Sequence, residues 1–222
     1  MEHCCVLDPT PKNNVALNFN ILHAQTPVVT QIDKFLTERE STFLIEEAEK
    51  LGMARSTVTS SAGAVENQGR TSSTAFLPKS GNDIISCIEK KISTAAGLPM
   101  DNLEPLQVTR YQHKQKYDSH YDWFEGTKTG EGQRTKTVFS YLKGLEDDGG
   151  KFCGGATAFP NLKDEDNQVL RAYPVSGNAV MWSNVTHDGT GDTKSLHGGE
   201  PVLCEGATKV GLNAWFRDKP WT

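Results

Sequence analysis

Long apolar runs are absent from this 222-residue chain. No stretch approaches the ~18 residues that a membrane-spanning helix needs. No basic segment leads into an apolar one near the N-terminus, so neither a span nor a secretory signal is expected, and the cytoplasm is the default compartment. An excess of positive charge is also missing. Lys and Arg number 23 against 28 Asp and Glu, a net charge of −5, which counts against a general nucleic-acid binder. Cysteine is scarce and odd in number: Cys4, Cys5, Cys87, Cys153 and Cys204 contain no C-x-x-C spacing. That disfavours a zinc ribbon, excludes a framework in which every cysteine is paired, and leaves buried or free thiols as the expectation. G-x-S-x-G, H-E-x-x-H and a phosphate loop do not occur, which argues against a hydrolase. Cys204 follows His197 closely, but no local signature of a Cys–His nucleophile surrounds it.

The length suffices to bury a sizeable core. Residues 1–27 read as an irregular leader and 28–222 as a single domain, because no linker, composition break or repeat divides them. VVTQIDKFL (28–36) has the pattern of a strand entering a turn. Thr37 and Glu40 then have the spacing of a capping box. Phe43, Leu44, Ala48 and Leu51 recur at helical spacing, and Gly52 is placed to stop that helix. A second amphipathic helix follows from NDIISCIEKKISTAAGL. Its stripe is Ile84, Ile85, Ile88, Ile92 and Ala95 or Ala96, and Gly97 ends it.

From Leu106 the texture changes to short β-rich runs: LQVTRY, HYDWF, TKTVFSYL, GGATAF, VLRAYPV, NAVMWSN, EPVLC and TKVGLNAWF. The turn clusters GTKTGEG, EDDGG, PVSGN and HDGTGDT separate them. This rhythm predicts a mainly β (α+β) fold, a barrel or sandwich with the N-terminal helices packed on one outer face.

KYDSHYDWF (116–124) places His120 and Asp122 two positions apart among aromatic rings. On a strand, positions i and i+2 share a face, so an imidazole and a carboxylate would aim at one point. That supplies two legs of a 2-His-1-carboxylate triad, the arrangement of non-haem Fe(II) oxygenases. A solvent-facing pair on an edge strand explains the same spacing. A third ligand would come from His187 or His197. His187 sits in a Gly-rich turn, whereas His197 enters a strand beside two glycines that leave room for close approach, so His197 is preferred. TKVGLNAWF splits into an apolar face (Val210, Leu212, Ala214, Phe216) and a second face of Lys209, Gly211, Asn213 and Trp215, which suits a cavity lining. Lys209 there would hold a carboxylate as a point charge. A lysine at a strand end in water is the alternative.

These landmarks together resemble the catalytic domain of the prolyl 4-hydroxylases. The resemblance covers about residues 28–218, through IDKFLTERE, RTSSTAFLP, LQVTRYQHKQKYDSHYDWF, QRTKTVFSYL, GGATAFP, YPVSGNAVMWSN, GDTKSLHGGEPVL and the final K-x-G-x-N-x-W-F. It implies a double-stranded β-helix (jelly roll) and a dioxygenase dependent on Fe(II), 2-oxoglutarate and O₂, with ascorbate as reductant. The implied reaction hydroxylates a C–H bond, most simply at position 4 of peptidyl proline, and releases succinate and CO₂. By the same resemblance His120, Asp122 and His197 are the iron ligands and catalytic centre. Lys209, Tyr111 and Thr157 bind the co-substrate, and Tyr117, Arg134 and Trp215 hold a proline-containing peptide or protein. For Tyr117 the alternative is core packing, and for Arg134 a surface salt bridge. Two other readings stand beside this one: the same cofactors acting on a free amino acid or small metabolite, and a metal-binding β-barrel without catalysis. Neither a nucleic acid nor a membrane is expected as partner, and the oligomeric state is open.

Overall fold

The computed structural model describes residues 17–60, 63–66, 68–125, 132–145 and 152–221. The chain is mostly β with two helices, in the order β1 (Asn18–His23), β2 (Val29–Asp33), α1 (Glu38–Leu51), β3 (Ala54–Arg55), β4 (Thr57–Ser60), β5 (Gly63–Glu66), β6 (Ser73–Phe76) and α2 (Asp83–Ala96). Then follow β7 (Gln107–Gln112), β8 (Tyr117–His120), β9 (Arg134–Lys143), β10 (Thr157–Lys163), β11 (Val169–Ala172), β12 (Ala179–Ser183), β13 (His197–Gly199) and β14 (Thr208–Arg217). An eight-stranded sheet has the order β1-β2-β12-β9-β14-β7-β6-β3, and a four-stranded sheet the order β11-β10-β13-β8. The named ladders are all antiparallel.

Alternation along the long central strands separates two cores. Val138 and Leu142 of β9, Val210, Leu212, Ala214 and Phe216 of β14, and Val108 of β7 join Leu44, Ala48, Ile85, Ile88 and Ile92 of the helices in one buried cluster. Their neighbours Phe139, Tyr141, Val180 and Trp182 point the other way and meet Phe159, Leu162, Leu170 and Ala172 of the smaller sheet. Period-2 side-chain geometry thus sends alternate residues of the large sheet into two clusters, one shared with the helices and one with the small sheet. Both helix signals hold. Thr37 and Glu40 form the reciprocal capping box of α1, and Gly97 ends α2 in the left-handed region. Leu51 of the expected stripe is instead exposed.

Four expectations need correction. Residues 18–23 of the supposed irregular leader form β1, which pairs with β2 from Asn18↔Asp33 to His23↔Val29. HYDWF is not one strand: β8 ends at His120, and Asp122 lies beyond it in a bend. EPVLC forms no strand, and Val202 makes isolated bridges to His113 and Gly154. The cysteines are not all thiols, because Cys153 and Cys204 form a disulfide while Cys87 is a buried free thiol. Cys4, Cys5, most of GTKTGEG and all of EDDGG lie outside the described residues. Among the described residues no helix is long and apolar enough to cross a membrane.

Candidate active site

His120 and His197 are direct cross-strand partners on β8 and β13. Their rings lie 4.4 Å apart between centroids. The close approach of these strands depends on Gly198, where an added Cβ would come within 3.0 Å of the Tyr117 carbonyl oxygen. Asp122 enters from the bend after β8. Its Oδ1 lies 3.6 Å from His120 Nε2 and its Oδ2 3.5 Å from His197 Nε2. The three ligand atoms fall within 4.8 Å of one another. His187, the other candidate, is exposed.

Each histidine is oriented by its own backbone. His120 Nδ1 lies 2.9 Å from the Asp118 carbonyl oxygen, and His197 Nδ1 lies 2.9 Å from that of Ser195. A carbonyl can only accept, so each Nδ1 carries a proton and each Nε2 keeps its lone pair for a metal. Burial pushes the His197 imidazole down to about 4, against the opposing pull of Asp122, so this ring is neutral near pH 7. For Asp122, burial favours the protonated acid, but His197, His120 and Arg134 together outweigh it and hold the carboxyl well below the usual range. Two imidazole nitrogens and one carboxylate oxygen are a donor set that fits Fe(II).

A buried cation lies apart from these three residues, on β14. Lys209 is buried, and its Nζ lies 4.7 Å from the Tyr111 ring centroid. Burial pushes its ammonium down to about 7, with Glu200 opposing. Gly199, next but one to His197, is the register partner of Thr157, and a Cβ there would sit 3.7 Å from Lys209 Nζ. The Thr157 hydroxyl hydrogen-bonds Tyr141 Oη at 2.8 Å. Burial raises the Tyr111 phenol, which stays a neutral donor. Lys209 thus lies over the Tyr111 ring, and Thr157 stands across the β10–β13 ladder from Gly199.

Aromatic and cationic groups form the remaining wall. Tyr117 stacks on His120 with centroids 3.6 Å apart, and the Arg70 guanidinium lies 4.7 Å from the Tyr117 ring centroid. Burial pushes the Tyr117 phenol up to about 12. Arg134 lies 3.9 Å from the centroid of Trp215 and 5.2 Å from that of Phe124. Its salt bridge is not a surface one: Nε and Nη2 donate to Glu104 at 2.7 and 2.8 Å, with Glu104 side chain 5% exposed. Arg217 Nε donates to the same Glu104 Oε1 at 2.6 Å. The Trp123 indole packs against Gly191, where a Cβ would fall 2.3 Å from it.

Thr137 and Asn184 have no motif of their own. Thr137 donates to Asp122 Oδ2 at 2.6 Å, and Asn184 Nδ2 donates to Thr137 Oγ1 at 2.8 Å. The visible signal is a hydroxyl on the inward face of TKTVFSYL, in line with Phe139 and Tyr141.

The profile of the 2OG-Fe(II) oxygenase superfamily matches residues 106–217. Prolyl 4-hydroxylase 5 of Arabidopsis thaliana is 36% identical over 200 residues, covering 82% of this chain and 65% of the relative. Probable prolyl 4-hydroxylase 10 of the same plant is 36% identical over 209 residues, covering 86% and 69%. Thus the chain spans roughly two thirds of the length of such relatives. Among solved structures, the viral collagen prolyl hydroxylase of Paramecium Bursaria Chlorella virus-1, in its 2OG complex, superposes with a TM-score of 0.65 at 26% identity, covering 85% of this chain and 95% of that one.

Proposed function

Because the chain belongs to the prolyl 4-hydroxylase family of 2OG-Fe(II) oxygenases, we propose that it uses Fe(II), O₂ and 2-oxoglutarate to hydroxylate position 4 of a peptidyl proline. Succinate and CO₂ are the co-products, and ascorbate serves as reductant. The observation that carries this reading is the convergence of His120, Asp122 and His197 at the small sheet, together with a buried Lys209 on β14 of the large sheet.

Iron bound by His120, Asp122 and His197 supplies the oxygen-activating redox chemistry. The chain does the rest. Lys209 holds the distal carboxylate of 2-oxoglutarate as a cation, assisted by the Tyr111 and Thr157 hydroxyls. Trp182, 4.6 Å from the His197 ring, and Phe159 keep water from the ligand side. Tyr117, Trp215 and Arg134 offer flat faces and a donor to an extended proline-rich segment, which binds with little ordering cost.

We read the two sheets as the layers of a double-stranded β-helix, with α1 and α2 on the outer face of the larger. The domain unit we propose starts before residue 28, since β1 continues the large sheet. The Cys153–Cys204 disulfide supports an oxidising compartment over the cytoplasm.

The test is incubation with Fe(II), 2-oxoglutarate and ascorbate, offering a proline-rich peptide or free L-proline. The reading expects succinate release coupled to a one-oxygen mass gain on peptide prolines. Turnover of free amino acids with none of any peptide would move the reaction to small metabolites. No succinate with any substrate, despite metal binding, would favour the non-catalytic barrel.

A further inference from the structure

We propose that Thr137, aimed by Asn184, is a positioning residue for the carboxylate ligand Asp122, an inference that rests on the oxygenase reading above. The three side chains form a directed chain. Asn184 Nδ2 can only donate, and a carboxylate oxygen can only accept. The single hydroxyl proton of Thr137 therefore goes to Asp122 Oδ2, while its oxygen receives the Asn184 amide.

The need for such a device follows from the fold. His120 and His197 sit within paired strands, and each has a carbonyl two residues before it to fix its ring. Asp122 lies past the end of β8 and belongs to no ladder. Nothing in its own strand sets the rotation of its carboxylate. Thr137 stands on β9 in the middle of the large sheet, and both it and Asn184 are fully buried. Its hydroxyl takes one position on Oδ2 and so decides which way the two oxygens face. Asn184 is itself fixed at both backbone ends: its N–H donates to Thr135 O and its carbonyl accepts from Asp192 N, each at 2.9 Å. Asp192 O in turn accepts from the N–H and hydroxyl of Ser195, whose carbonyl receives His197 Nδ1. One loop thereby orients two of the three ligands. Asn184 Oδ1 is buried without a partner. Flipping the amide would give that Oδ1 a hydroxyl to compete for, at the expense of Asp122. An orphaned carbonyl is the milder defect.

The experiment measures Mn(II) and anaerobic Fe(II) affinity by calorimetry on the full chain, with folding checked by circular dichroism. Thr137→Val keeps the shape and removes the hydroxyl. It is expected to weaken metal binding roughly 10–100-fold, the usual effect of losing such an outer partner. Thr137→Ser restores the donor and is expected to return affinity to near the parent value. Should Thr137→Val not fold, Thr137→Ala carries the same comparison. Parent-like affinity in a folded variant without the hydroxyl, or no recovery in Thr137→Ser, overturns the proposal. A parent chain that binds neither metal would instead sink the oxygenase reading.

Discussion

Lys209 Nζ donates to the carbonyl oxygen of Gly155 at 2.6 Å, in a site where the lysine is 1% exposed and no salt bridge among the described residues neutralises it. A buried ammonium satisfied by one neutral acceptor is primed for an anion. Lys209→Ala is expected to raise the KM for 2-oxoglutarate strongly, and Lys209→Arg less so. Steady-state kinetics at saturating peptide measure it, and normal co-substrate dependence in Lys209→Ala would remove the clamp.

The same lysine sets a pH dependence. Its ammonium is pushed down to about 7 by burial, so above that pH the free site holds a neutral amine. Co-substrate dianion binds the charged form, so binding there must take up a proton. Affinity for 2-oxoglutarate is expected to fall by up to about tenfold per pH unit above 7 and to level off below it. Calorimetry in buffers of different ionisation enthalpy reads the proton directly, and Lys209→Met should abolish the uptake.

Ligand removal separates the two candidate histidines. His120→Ala, Asp122→Ala and His197→Ala are each expected to abolish succinate formation with the fold retained. His187→Ala, exposed in a turn, is expected to leave it unchanged. The reverse pattern for the two downstream histidines would break the assigned triad.

Glu104 carries a stability prediction. It is 4% exposed and accepts from both Arg134 and Arg217. Glu104→Ala leaves the buried Arg217 and the half-buried Arg134 without that carboxylate, a loss of about 3–5 kcal/mol by the usual scale for breaking a buried pair. Urea unfolding measures it. Trp215→Ala removes the ring under Arg134, a contact worth about 0.5–2 kcal/mol, and should narrow the preference for peptide over free proline.

Opening the Cys153–Cys204 disulfide frees a loop of sequence separation 51. By chain entropy this lowers stability by about 4 kcal/mol. The bridge lies between the carbonyl of Gly155 and the entry to β14, so reduction is also expected to raise the KM for 2-oxoglutarate. A reductant titration that leaves both melting temperature and KM unchanged would show the bridge to be idle.

Much of this site is legible in the sequence, because its signals are local. The alternation of TKVGLNAWF assigns Lys209 and Trp215 to the inner face, and Val210, Leu212, Ala214 and Phe216 do enter the helix-covered core. The capping box names the start of α1 from four residues. What periodicity cannot carry is contact between distant segments. Thr137 meets Asp122 across 15 positions and Asn184 across 47, and the cysteine bridge spans more. The H-x-D spacing names two residues that do lie together, but the expected single strand is not the cause. Asp122 shares a centre with His120 because a bend and a bond from β9 turn it there, not because one strand presents both. β1 escapes notice because NFNILH leaves Phe19 and Ile21 exposed, so its pattern promises no buried face.

The two histidines reach their tautomers by the same means, a carbonyl two residues upstream in the same chain segment. Tautomer control is thus modular: each short segment ending in its histidine brings its own instruction wherever an antiparallel pair sets the two in register. The carboxylate has no such portability. A designer moving this centre to another sheet could copy two tripeptides for the imidazoles, but would have to rebuild a third strand to hold the aspartate.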